Sequence, residues 1–410
     1  MGELSRRQAL AAFGGAAVLG GLAAGAFSAA RASAAAGGGA ATRASRPGTL
    51  LWRQQGGPGG SGAFSGILAG NGMVYASNSL QANLDCETYA LDAATGRLAW
   101  RARGPLPGGA GDGAVFGFEI TDGGKAEVVA LSSITGRAAW TYGVDRQWLE
   151  DGSYYDAGLG WLACAGDLVY ITSGNPDSAP SQPTVRALDA RTGRRAWTAS
   201  PVNTGQDPAV ADGVLYMVSN GRVIALRGAT GAQLWQSAHI GAYNMSALWA
   251  VDGVVCGNYS LTSSSPALEF FALDGATGAM LWQIAEAQAA ELTDSTVTAT
   301  SGGMVYFSDY IINPQSSDST IVWARYARSG KLAWSRNIPG NPQLANGDTL
   351  YVTGTDSANG GNGPTLVALA AATGDTLWSY QLAADVNDVA ADGNMVYAID
   401  VKGSVYALQA

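Results

Sequence analysis

Short apolar stretches with large residues at close spacing recur along the chain, and each stands beside a turn signal. "MVYAS" begins at Met73, "LVYITS" at Leu168, "VLYMVS" at Val214, "MVYFSD" at Met304, "LYVTG" at Leu350 and "MVYAID" at Met395. Asn71-Gly72, Asp212-Gly213, Asp252-Gly253, Asn346-Gly347 and Asp392-Gly393 precede such stretches. Runs this short, rich in Val, Tyr and Ile and bounded by Asn-Gly or Asp-Gly, predict strands joined by two-residue hairpin turns. Apolar runs of helical length are scarce after residue 30, so the pattern predicts an all-β chain.

A longer phrase overlies this pattern. "ALDAATGRLAW" at Ala90–Trp100 returns as "ALSSITGRAAW" to Trp140, "ALDARTGRRAW" to Trp197 and "ALRGATGAQLW" to Trp235. It continues as "ALDGATGAMLW" to Trp282, "ARYARSGKLAW" to Trp334 and "ALAAATGDTLW" to Trp378. Each copy gives a strand, a turn with Gly four residues before the Trp, and a strand carrying the Trp. With Trp52 of "RPGTLLW" included, the mean spacing is about 47 residues, a period expected of strand-rich propeller blades. The last unit stops at Ala410 after three strands, and "PGTLLW" supplies the missing fourth. The expected fold is therefore an eight-bladed β-propeller of four-stranded antiparallel blades, with N- and C-terminal strands sharing one blade. That closure would leave no free sheet edge.

The recurring "G-x-V-Y…ALD-x-x-TG-x-x-x-W" resembles the pyrroloquinoline-quinone-type (PQQ-like) β-propeller repeat over residues 48–410. Members of that family include quinoprotein alcohol and sugar dehydrogenases, the propeller lipoprotein of the outer-membrane β-barrel assembly machinery, and sensor domains of bacterial Ser/Thr kinases. The resemblance implies the architecture and leaves the activity open, because the shared residues are turn and packing residues.

Other segments frame the domain. Ser5-Arg6-Arg7-Gln8-Ala9-Leu10, an Ala/Gly-rich apolar run and "ASA" at Ala32–Ala34 predict a twin-arginine signal peptide over 1–34. Residues 35–47 read as a flexible linker and 48–410 as the propeller. The implied location is secreted or cell-envelope, with no transmembrane helix after cleavage and a monomeric state. A formal charge of −9 and the lack of a basic stripe argue against nucleic-acid binding. Of the three cysteines, Cys256 takes a place where sister units have Tyr, and Cys164 lies in the apolar "WLACAG". Both are expected in the core, Cys86 in a loop, and no disulfide framework follows.

Candidate chemistry must come from differences between copies. Asp92, Asp189 and Asp274 share one register, but Ser132, Arg227, Tyr326 and Ala370 replace them elsewhere, so they are read as turn caps. Variable loops lie at 77–88, 173–184, 257–269, 308–320 and 353–365, all expected on the face opposite the tight turns, where function tends to reside. The connections into the innermost strands carry Tyr155, Asp156, Asp207, Tyr243, Asn244, Asp294, Asn341 and Asp388. Converging from six blades on the channel mouth, they form a candidate site for a hydroxyl-rich ligand or a hard cation; the alternative is that they cap strand entries.

No cofactor is expected. The resemblance allows PQQ and Ca²⁺, which enzymes of the family use, but the chain has no Cys-Cys pair and no segment matching their calcium or catalytic-base motifs. No metal site is expected, since His239 is the sole histidine. Trp148, Trp161, Trp249 and Trp323 lie outside the repeat and are read as fillers of core gaps, with Trp161 and Trp249 on innermost strands. The leading expectation is a non-catalytic binding or scaffold protein that holds a protein or a small polar ligand on its loop-rich face. The rival is an enzyme on the same channel: a divergent quinone-dependent dehydrogenase or a secondary-metabolism catalyst.

Overall fold

The computed structural model describes residues 46–55, 64–80, 85–120, 126–143, 147–148, 154–155, 161–174, 183–199, 208–240, 244–245, 248–260, 268–285, 296–311, 319–338, 340–355 and 363–410. They form eight antiparallel sheets arranged as an eight-bladed β-propeller and one further two-stranded sheet, and no helix occurs among them. The innermost strands of blades 1 to 4 are Phe64–Gly70, Leu106–Gly111, Trp161–Ala165 and Ala209–Ala211. Those of blades 5 to 8 are Trp249–Val251, Thr296–Ser301, Asn341–Asn346 and Val386–Asp392. Each touches the next, and Val386–Asp392 returns to Phe64–Gly70 to close the ring. Leu50–Gln55 is the outermost strand of blade 8, where it pairs with Ser404–Gln409. The expected sharing of one blade by both chain ends is thus observed.

The tryptophans hold neighbouring blades together. The indole N–H of Trp52 donates to the carbonyl of Ala93, Trp100 to Ser133, Trp140 to Ala190 and Trp197 to Gly228. Trp235 reaches Gly275, Trp282 reaches Ala327 and Trp334 reaches Ala371 in the same way. Each ring lies flat against the glycine of the next blade's turn: a Cβ built on Gly136 would sit 2.6 Å from Trp100. The same overlap joins Trp378 to Gly48 across the composite blade. Glycine is required there twice over, by the ring and by a positive φ of 66° at Gly136. Burial of a ring this size contributes roughly 4–6 kcal/mol at ~25 cal/mol per Å². The Tyr of the second strand packs on the same Trp, as in Tyr75–Trp100 at 5.9 Å. Cys256 takes that Tyr position in blade 5 and is fully buried, which pushes its thiol up to about 12. Burial likewise raises the Cys164 thiol.

The tight turns do share one face. All eight turns between first and second strands are two residues long, and the seven contiguous turns between third and fourth strands are five. In every blade an amide of the outer turn donates to the inner turn, from Ala93 N to Gly72 O at 3.0 Å round to Ala410 N to Asn394 O at 2.8 Å. Asn71 and Gly72 have φ of 57° and 70°, as a two-residue hairpin of this kind demands. Asp92, Asp189 and Asp274 cap the outer turns: Asp92 Oδ1 accepts from Thr95 N at 2.9 Å and from its hydroxyl at 2.6 Å. These bonds hold the carboxyls of Asp189 and Asp274 below the usual range. On the other face, second and third strands are separated by two residues in blade 4 and by eight in blades 3 and 7.

One expectation is corrected. Closure pairs the terminal strands with each other, yet the outermost strand of every blade remains a sheet edge. What protects these edges is a β-bulge one residue before each Trp, such as that at Ala99 between the pairs Ala90–Trp100 and Leu91–Leu98.

The Trp–Gly docking makes a quantitative prediction. Gly136→Ala forces a Cβ into the Trp100 ring and is expected to cost about 2–4 kcal/mol from overpacking and backbone strain together. Gly72→Ala, at a similar φ but with open space around it, should cost only about 1 kcal/mol. Denaturant unfolding of the two variants beside the parent chain measures the difference.

Candidate functional site

Asp388 is the best-defined of the sequence-derived candidates. It lies on the innermost strand of blade 8, just after a bulge between Val386 and Asp388 in the pairing with Met395–Asp400. Asn387 is the bulged residue, and its side-chain amide donates to Phe64 O in blade 1 at 3.4 Å. The Asp388 carboxylate spans the same seam: Oδ2 accepts the amide of Ile67 at 2.9 Å, and Oδ1 that of Val389 at 2.8 Å. Burial removes the carboxylate from water and pushes its pKa up to about 6; the two amide bonds offset only part of that rise. Both oxygens are therefore engaged by backbone at the closing seam.

The other candidates are more dispersed. Asn341 opens the innermost strand of blade 7, exposed and paired with Thr353, and its carbonyl accepts from Gln343 Nε2 at 3.4 Å. Asn244 begins Asn244–Met245, a short piece that pairs with Val254–Ser260 ahead of Trp249–Val251 and splits the innermost strand of blade 5. Tyr155 belongs to a hairpin of Gln147–Trp148 with Tyr154–Tyr155, which stands between blades 2 and 3 and joins neither sheet. Asp156, Asp207, Tyr243 and Asp294 lie outside the described residues. Among the described residues, none of the eight candidates is hydrogen-bonded to another.

A second buried carboxylate was missed in sequence. Asp400 is fully buried, and accepts from Lys402 N at 3.0 Å, Ser404 N at 2.8 Å and the Tyr406 hydroxyl at 2.8 Å. Arg53 completes this knot, donating to Ser404 Oγ at 3.0 Å with its guanidinium 4.9 Å from the Tyr406 ring centre. "DVKGS" is an Asp-initiated turn, and that was the available signal. The cluster ties the N-terminal strand into blade 8.

The remaining polar and aromatic candidates are structural. His239 is exposed beyond the outermost strand of blade 4, away from the innermost strands. Trp249 and Trp323 pack on the cluster of Val254, Cys256, Phe270 and Phe307, filling core as expected. Among the described residues no three His, Cys, Asp or Glu side chains gather where a metal could be held. Each Asp388 oxygen already holds a backbone amide, and the described residues gather no cluster of carboxylate, Cys or His side chains that would hold Ca²⁺ beside PQQ.

An eight-bladed ring of Trp-docked, four-stranded blades defines a PQQ-like propeller. The family described as outer membrane protein assembly factor BamB matches residues 3–175, 181–350 and 340–410, and the chain belongs to that family. Among solved structures it is similar to BamB from Moraxella catarrhalis, at 17% identity and a TM-score of 0.56, over 88% of this chain and 99% of that one. It is similar to the computationally designed Ika8 protein at 14% identity and a TM-score of 0.61, over 88% and 100% of the two chains. Quinohemoprotein alcohol dehydrogenase from Comamonas testosteroni gives 15% identity and a TM-score of 0.57, over 88% and 76%. No curated protein matches. A BamB and a dehydrogenase share this architecture, so the function must be argued from this chain's own residues.

The seam carboxylate makes a pH prediction. Its folded pKa of about 6 lies above the ordinary 3.8, so between these values the native state keeps a proton that the unfolded chain releases. Its contribution to stability is therefore fully present below pH 3.8 and is lost as pH rises through about 6. Asp388→Asn should become progressively more stable relative to the parent chain from about pH 4 to about pH 6.5, with the difference levelling off above that. Parallel thermal melts across that range read the change.

Proposed function

We propose that this protein is an exported, non-catalytic binding or scaffold protein that holds a protein or a small polar ligand on its loop-bearing face. The observation that carries this reading is the contrast between the faces. One is built from turns of constant length locked by the same hydrogen bond in each blade, whereas the other joins second to third strands with two to eight residues. Variation confined to one face of a rigid ring is the usual arrangement of a recognition surface. The partner is sought at the loops of 308–320 and 353–365 and around the channel mouth. In this reading residues 1–34 act as a twin-arginine signal, 35–47 as a linker, and the propeller works as a monomer in the cell envelope or outside the cell. The family description, an outer-membrane assembly factor, supports a role in holding other proteins.

A second reading keeps an enzyme on the channel, and one observation favours it. Asp388 titrates near 6 on an innermost strand, and a carboxyl so displaced can exchange protons near neutrality.

Native mass spectrometry with a UV–visible spectrum, on protein purified from its own host, separates the two. The binding reading expects no quinone chromophore. It also expects a photo-crosslinker at Ser357 to capture a partner in living cells at fixed stoichiometry, while one at Ser329, exposed on the opposite face in the outer turn of blade 6, captures none. A bound chromophore, or equal capture from both faces, would overturn it.

A further inference from the structure

Arg97, Arg137 and Arg194 occupy one structural position, the residue after the turn glycine, in the consecutive blades 1, 2 and 3. All three are exposed, as is Arg195 beside them, and among the described residues none lies within ion-pair distance of an acidic group. Blade 6, directly across the ring, differs. Its Arg328 meets Asp274 at 3.3 Å, and its Arg336 meets Asp375 at 3.6 Å. With exposed Arg191 and Arg195 beside them, these arginines outnumber the turn-capping Asp92 and Asp189 of the same turns, so the arc is a local basic exception on a chain of net charge −9.

An apolar group stands in the same arc. Ile134, at the tip of the blade 2 turn, is 78% exposed, the most exposed of the large hydrophobic side chains described. The turn around it has its backbone largely satisfied: Ser133 N donates to Gly113 O and Gly136 N to Ser132 O, each at 2.9 Å. Such a tip can leave water with little cost from unpaired amides.

We propose that the outer turns of blades 1 to 3 dock on the surface of an anionic lipid bilayer, with the arginines at the headgroups and Ile134 in the interface. Equal turn lengths bring the tips to a common level, so neighbouring blades can meet a flat surface together. Asp112 and Asp167, exposed on the inner turns of blades 2 and 3, restrict contact to the rim and tilt the disc. A soluble acidic polymer would satisfy the arginines equally but would leave Ile134 without a role. The combination of basic rim and apolar tip selects the bilayer.

The test is co-sedimentation of the protein, purified from its own host, with vesicles of phosphatidylglycerol and phosphatidylcholine, and with phosphatidylcholine alone. Binding is expected to the anionic vesicles and to weaken with salt. The triple variant Arg97→Gln, Arg137→Gln, Arg194→Gln should lose on the order of 100-fold in partitioning. Ile134→Ser should lose roughly tenfold, and Arg328→Gln with Arg336→Gln on blade 6 should lose nothing. All these side chains are exposed, and unchanged thermal melts confirm that the variants fold. The proposal is overturned if the parent chain does not bind, if it binds both vesicles alike, if the triple variant binds like the parent, or if only a soluble polyphosphate is bound.

Discussion

The contact between each tryptophan ring and the turn glycine of the next blade is the constraint on which the rest depends. It joins a strand edge in one sheet to a left-handed turn in its neighbour, and the indole N–H fixes the angle by bonding to a carbonyl in that neighbour. Because the ring approaches the backbone itself, no side chain can stand at the glycine. The Tyr of the second strand packs on the same indole in a tilted arrangement, as Tyr170 does on Trp197 at 6.0 Å between ring centres. Stability is accordingly a sum of neighbour terms, and no sheet could bury both of its faces alone. The repetition along the chain is the linear image of this contact.

The joint between blades 8 and 1 holds a buried carboxylate. Between blades 8 and 1 the innermost strands are linked by Asp388 and Asn387, polar groups that reach into the neighbouring strand. On the outside of blade 8, Asp400, Arg53 and Tyr406 form a second polar knot. The blade assembled from two distant parts of the chain thus carries extra polar fastening at both its inner and outer sides. Buried hydrogen-bonded groups accept one alignment, which suits the pairing of Leu50–Gln55 with Ser404–Gln409, two strands not linked by a turn.

The fold was legible because its determinants are local and repeated. The Gly four residues before each Trp, the Asp that caps the turn and the Asn-Gly or Asp-Gly hairpins each act within a few residues. Cys256 could be placed by register alone, since it replaces a Tyr. The site was less legible because its properties arise across blades. Nothing near Asp388 in sequence reveals that its oxygens meet the amides of Ile67 and Val389, the first of them more than 300 positions away. The free-standing hairpin at Tyr155 was also hidden: Gln147-Trp148 and Tyr154-Tyr155 are too short to show a period of two. The free outer edges were illegible for another reason: joining the chain ends closes the ring and leaves the perimeter open.

The pairing of Leu50 with Leu408 in the composite blade has a kinetic side. Seven blades can form from hairpins whose strands follow one another directly. The eighth must bring together segments separated by nearly the whole polypeptide, so its contacts have the largest sequence separation in the molecule and carry the greatest loop-closure entropy. Folding should therefore run through an open, C-shaped array of finished blades whose last step is latching. Unfolding should begin by release of the same latch, which makes blade 8 the gatekeeper of the protein's lifetime.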